Sequence, residues 1–102
     1  MLAYVTCPSG DEASRIGRLV VEAKLAACAN LISGMTSIYA WQGAIETASE
    51  CVLLLKTTTS RVPELQKRVL ELHPYENPCF VAWPIASGSP DFLNWIQKES
   101  QP

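Results

Sequence analysis

His73 is the only histidine in the chain, so any imidazole chemistry has to pass through it. It opens the run His73-Pro74-Tyr75-Glu76, which places an imidazole, a phenol and a carboxylate within one turn. Copper and similar borderline cations accept such donors, provided a further ligand arrives from elsewhere or from a second copy. The plainer use of the same turn is structural, with His73 and Tyr75 closing a helix end by hydrogen bonds to the backbone. Cys7 offers a soft thiolate for Cu(I) or Hg(II), or else a small buried thiol. Lys56 follows an apolar run and can hold an anion in a cleft, or simply end a strand where it meets water. Tyr39, Trp41 and Trp95 read as core or interface aromatics, with Trp41 also a candidate to line a cleft. Cys28, Cys51 and Cys79 read as packed thiols. A Cys7–His73 nucleophile pair would need an orienting group and an oxyanion hole, and no motif marks either. The chain does not read as an enzyme.

Composition narrows the partners. The 102 residues suit one domain, 1–102, and 48% hydrophobic with 18% charged residues is a globular balance. A net charge of -2 without a basic run leaves no footprint for nucleic acid. The apolar stretches, such as Phe80 to Ala86, are too short to cross a bilayer. Four scattered cysteines with no CxxC spacing predict reduced thiols in a cytoplasmic protein.

Periodicity supplies the elements that must hold these side chains. Leu2 to Thr6 predicts a strand. Ser9 with Glu12 forms a capping-box pattern, and Ala13, Ile16, Val20, Ala23 and Ala27 predict a helix from Asp11 to about Ala27. Strands follow at Cys28 to Ile32 and, after an interruption at Gly34, at Thr36 to Trp41. Gln42-Gly43 turns the chain back, and Thr47 to Glu50 reads as a bend before a strong strand at Cys51 to Thr58. Ser60 is positioned to cap a second helix, which His73-Pro74 ends because the residue before proline avoids the helical region. A strand at Cys79 to Trp83 and a short helix from Ser89-Pro90 complete the chain. The order β-α-β-β-α-β plus a terminal helix is that of the ferredoxin-like α+β fold, an antiparallel sheet with two helices on one face.

With helices on one face, the strands should alternate apolar and polar if the other face met water. Instead Val52-Leu53-Leu54-Leu55 and Phe80-Val81-Ala82-Trp83 are apolar at every position. Neighbouring residues point to opposite faces, so both faces are predicted to be apolar, and the terminal helix is too short to cover the second. Further copies of the same chain are the expected cover.

The segment LAACANLISGMTSIYAWQGAIE (Leu25 to Glu46), LLLKT (Leu53 to Thr57), HPYENP (His73 to Pro78), VTCP (Val5 to Pro8) and FLNW (Phe92 to Trp95) together resemble the CutA family of divalent-cation tolerance proteins. The resemblance implies a compact homotrimer similar to the PII signalling proteins, with sheets facing inward and hairpins extending neighbouring sheets. It also implies binding of copper or another divalent metal, for which His73 and Cys7 are the candidate ligands, with no cofactor needed for folding. The family's strand-one cysteine falls two residues earlier, where Val5 stands here. Thr47-Ala48-Ser49 stands where relatives carry more acid, which weakens a carboxylate cage for hard cations. Lys56, Tyr75, Glu76 and Trp41 are further candidates for a cleft between subunits. The alternative is a PII-like regulatory trimer that binds a small ligand in those clefts.

Overall fold

The computed structural model describes all residues, Met1–Pro102. Four strands form one antiparallel sheet in the order β2-β3-β1-β4. They are β1 (Leu2–Cys7), β2 (Cys28–Trp41), β3 (Ala44–Lys56) and β4 (Phe80–Trp83). The helices are α1 (Gly10–Glu22), α2 (Val62–Leu72) and α3 (Pro90–Glu99). This is the ferredoxin-like arrangement that the element order predicts.

Ala3, Val5 and Cys7 of β1 and Cys51, Leu53 and Leu55 of β3 form the buried side of the sheet. Ala13, Ile16 and Val20 of α1 and Leu65 and Val69 of α2 close over it. Gly17 lets α1 come close to β2: a Cβ there would stand 3.0 Å from the Ala29 Cβ.

Four local details differ from the sequence reading. Helix α1 stops at Glu22, not near Ala27. Lys24 takes a left-handed conformation (φ 60°), with Leu25 N–H donating to the Val20 carbonyl and Lys24 N–H to that of Val21, a Schellman termination. That frees Leu25 and Ala26 to join the core. Ser9 accepts from the Glu12 amide, but the Glu12 carboxylate pairs with Arg15, so only half of the capping box forms. Ser60 does not cap α2; it lies in a 3-10 turn, Thr59–Arg61, that leads into the helix. The expected break at Gly34 and bend at Thr47 to Glu50 are both absorbed into continuous strands. The irregularity is a register shift between Ile32 and Met35, where Gly34 adopts φ 79°.

The ladder between β1 and β3 ends at Cys7 and Cys51, whereas β2 and β3 remain paired out to Trp41 and Ala44. The hairpin therefore extends beyond the body, giving a molecule of 45 × 25 × 21 Å. On the sheet face away from α1 and α2, Tyr4 stands in register between Leu54 and Val81, with Trp83 opposite Leu2 in the next pair along that face and Val81 52% exposed. Ile38 and Ile45 on the hairpin are each 73% exposed. Both apolar faces are present, and only one is covered by the chain's own helices. Helix α3 buries Ile96 but leaves Phe92 and Trp95 outward.

Candidate functional site

Proline at position 74 forces His73 out of α2 into an extended conformation (φ −75°, ψ 137°), and the next residues fold back onto the end of β1 and the middle of β3. His73 is buried there. Its Nε2 lies 2.7 Å from the Thr6 carbonyl, and the Tyr75 amide donates to Nδ1 at 3.1 Å. An amide only donates and a carbonyl only accepts, so the ring is the neutral tautomer with its proton on Nε2. The His73 and Tyr75 rings lie 4.7 Å apart. At the turn's other anchor, the Tyr75 hydroxyl donates to Glu50 Oε2 at 2.7 Å. Glu50, only 8% exposed, is the buried acidic side chain of this region. Arg15 of α1 donates to the Leu72 carbonyl at 2.6 Å and so ties the end of α2 to α1.

The electrostatics follow from burial. Desolvation pushes the Cys7 thiol up to about 12, with Cys51, Glu12 and Glu50 adding repulsion. The Tyr75 phenol rises above its ordinary value, first from desolvation and then because Glu50 accepts its proton and repels a phenolate. Cys79 is raised by desolvation, partly offset by hydrogen bonding with Thr6.

The structure thus gathers Cys7, Cys51, Glu50, His73, Tyr75 and Cys79 around the point where the β1–β3 ladder ends. Glu76 is exposed on the same turn. Within one chain it does not bring Lys56 or Trp41 there. Counted from Cys51 along β3, Lys56 lies five residues one way, about 17 Å. The hairpin end at Trp41 and Ala44 lies about 23 Å the other way. Lys56 Nζ is engaged at 2.8 Å by Asn30 Oδ1 and stands over the Phe92 ring. Glu50 escapes a reading of the sequence. Its one clue is a carboxylate placed immediately before the most apolar strand segment, where a charge must find a partner or leave the core.

For metal binding, the donor set as folded is occupied. Both ring nitrogens of His73 are spent on the backbone, and a protonated, buried Cys7 is a poor ligand. No group of three or more His, Cys, Asp or Glu side chains is arranged to hold a cation. Within one chain His73 ends α2 with both ring nitrogens on backbone groups, and Cys7 packs as a core thiol. A cation at His73 would first have to displace the Tyr75 amide.

Comparison with known proteins is unambiguous about descent. The model of the family "CutA1 divalent ion tolerance protein" matches residues 1–99. The divalent-cation tolerance protein CutA of Thermus thermophilus is 46% identical over 97% of this chain and 96% of its own length. The human Protein CutA is 44% identical over 97% of this chain, which spans only 55% of that longer protein. Among solved structures, a PII-like protein CutA from Nostoc superposes with a TM-score of 0.91 at 32% identity, covering 98% of this chain and 96% of the other.

Proposed function

The chain belongs to the CutA1 divalent ion tolerance family, and from that premise we propose that it works as a homotrimer binding copper or a similar soft divalent metal. The observation that carries the reading is the uncovered sheet face. Tyr4, Leu54, Val81 and Trp83, with Ile32 beside them on β2, form an apolar surface that a second and third copy would seal. The protruding hairpin, with Ile38 and Ile45 outward, would reach the neighbouring sheet. Sedimentation at micromolar concentration tests this part, and a folded species of single-chain mass overturns it.

The cation enters this reading when the turn 73–76 loosens. Withdrawal of the Tyr75 amide would expose the His73 Nδ1 lone pair, on the same turn as Glu76, while Nε2 stays on the carbonyl of Thr6, the residue before Cys7. His73 and Cys7 are therefore spectators until the turn opens, and binding is coupled to that opening. Calorimetric titration of the untagged protein with copper is the test. An affinity unchanged in the double variant His73→Ala, Cys7→Ser removes those residues from the role. We read the protein as a binding module in the cytoplasm, in keeping with its four free cysteines.

The Nostoc relative, whose structure carries the description PII-like, favours a second reading. A small ligand would occupy clefts between subunits, where the hairpin of one copy, with Trp41, approaches Lys56 or Tyr75 of another. A thermal-shift screen with nucleotides and small anions separates the two readings, since a ligand that binds only the native state raises Tm.

A further inference from the structure

Cys7 and Cys51 are direct register partners across the β1–β3 ladder, both buried under the helices. One end of that ladder shows which kind of pair they form. Thr57 N–H donates to the Met1 carbonyl at 3.0 Å, and the Met1 amine donates back to the Thr57 carbonyl at 2.9 Å, a doubly hydrogen-bonded pair. Pair types alternate along an antiparallel ladder. Cys7–Cys51 lies six residues further on and is therefore of the same type, with Cα atoms about 5.5 Å apart. Disulfides span Cα separations of roughly 4.4–6.8 Å, so the backbone is within range. Facing Cβ atoms in a ladder stand about 4.5–5.5 Å apart, however, and must close to about 3.8 Å. A bond made here is strained, and strained disulfides are the readily reduced ones.

The two cysteines also adjoin both anchors of the docked turn. Thr6, whose carbonyl holds His73, precedes Cys7, and Glu50, whose carboxylate holds Tyr75, precedes Cys51. We propose that Cys7 and Cys51 form a reversible redox pair, closed by peroxide and reopened by small thiols, whose closure shifts the turn His73–Glu76. In the first step a cysteine thiolate attacks one peroxide oxygen. The O–O bond breaks, leaving a sulfenic acid and a hydroxide that takes up a proton to become water. The second thiolate then attacks the sulfenic sulfur, its S–O bond breaks, and the oxygen departs with a proton as a second water. Two thiols thus lose two electrons and two protons while one peroxide becomes two waters. Two equivalents of a small thiol return them by exchange, ending as that thiol's own disulfide.

Access comes from the position of the pair at the end of the β1–β3 ladder, where β1 stops at Cys7 while β3 runs on beside β2. Cys7 is the last residue of β1 before the exposed Pro8-Ser9-Gly10, and the Cys51 sulfur lies 3.9 Å from Ser33 Oγ beside the bulge. Fraying there admits an oxidant of water size. The desolvated Cys7 thiol makes the step slow at neutral pH and faster as pH rises.

The test uses the full chain carrying Cys28→Ser and Cys79→Ser, treated with hydrogen peroxide at pH 8. The expected product has lost about 2 Da, yields one cross-linked peptide containing Cys7 and Cys51, and reverts with dithiothreitol. Amide exchange at His73 to Glu76 is expected to differ between the two forms. Oxygen adducts without the 2 Da loss overturn the pair, as does a Cys7→Ser variant of that chain that still loses 2 Da. A closed disulfide with unaltered exchange in the turn overturns the coupling.

Discussion

Replacing Cys7 by alanine should change how the protein's stability depends on pH, by an amount the burial of the thiol dictates. Burial pushes this thiol from its ordinary value of 9.0 up to about 12 in the fold. Because the folded value is the higher one, the native chain holds this proton more tightly than the unfolded chain does. That advantage is fully present below pH 9 and is lost as pH climbs towards 12. Three pKa units at about 1.36 kcal/mol each come to about 4 kcal/mol in all. Integrating the two titrations, about 1.4 kcal/mol is gone by pH 10 and about 2.7 kcal/mol by pH 11. Alanine has no thiol to lose, so lysines and tyrosines titrate alike in both proteins and cancel in the comparison. At pH 8 Cys7→Ala is expected to be the less stable, since the buried sulfur leaves a small void. By pH 11 the gap should have moved about 2–3 kcal/mol in the variant's favour and reversed sign. Urea unfolding at pH 8, 10 and 11, in reductant and at fixed protein concentration, measures it. A gap constant to within about 0.5 kcal/mol across that range would refute the claim that this thiol is desolvated.

Other expectations concern the turn, the sheet and the helices. Tyr75→Phe leaves the buried Glu50 carboxylate without its phenolic donor and should cost about 1.5–3 kcal/mol; a double-mutant cycle with Glu50→Gln should recover much of that as coupling. Val81→Glu with Trp83→Glu places charge on the uncovered sheet face, away from the core, and is expected to give a smaller sedimenting species with unchanged far-UV circular dichroism. Lys24→Gly relieves the left-handed conformation at the end of α1 and should raise Tm by a few degrees, as about 0.5–1 kcal/mol of backbone strain outweighs the loss of an exposed ion pair with Glu99. Gly17→Ala should destabilise by about 1–2 kcal/mol despite better helix propensity, because the new methyl meets Ala29 at 3.0 Å and Leu53 at 3.3 Å; equal or greater stability in thermal melts would mean that α1 can move away from the sheet.

The legible features were those governed by neighbours along the chain. Pro74 ends α2 at His73 because its ring excludes the helical conformation one residue earlier, and the structure has that end. The two-sided apolar strands were legible because strand residues alternate faces regardless of what packs there. Details settled by competition were not. Arg15 takes the Glu12 carboxylate that a capping box would have used, and one left-handed residue, Lys24, ends α1 well before its apolar stripe does. The Gly34 irregularity was legible as a break, but cross-strand hydrogen bonds carry the chain through it as a bulge.

The candidate site divides in the same way. His73, Tyr75 and Glu76 share a turn, so their proximity is a matter of sequence spacing. The pairing of Tyr75 with Glu50, 25 residues away, comes from docking that turn where the β1–β3 ladder ends. The pairing of Cys7 with Cys51 comes from ladder register.

From its amino acids alone this chain had its element order, its greasy double-sided sheet and its family resemblance. Those depend on backbone preference and hydrophobic pattern, which act over a few residues. Folding in three dimensions decided that the lone imidazole spends both nitrogens on backbone groups and that a carboxylate hides beneath a phenol. It also decided that two distant thiols face one another. Such contacts are fixed by strand register and by competition for scarce hydrogen-bond partners, neither of which is written in any local stretch of the chain.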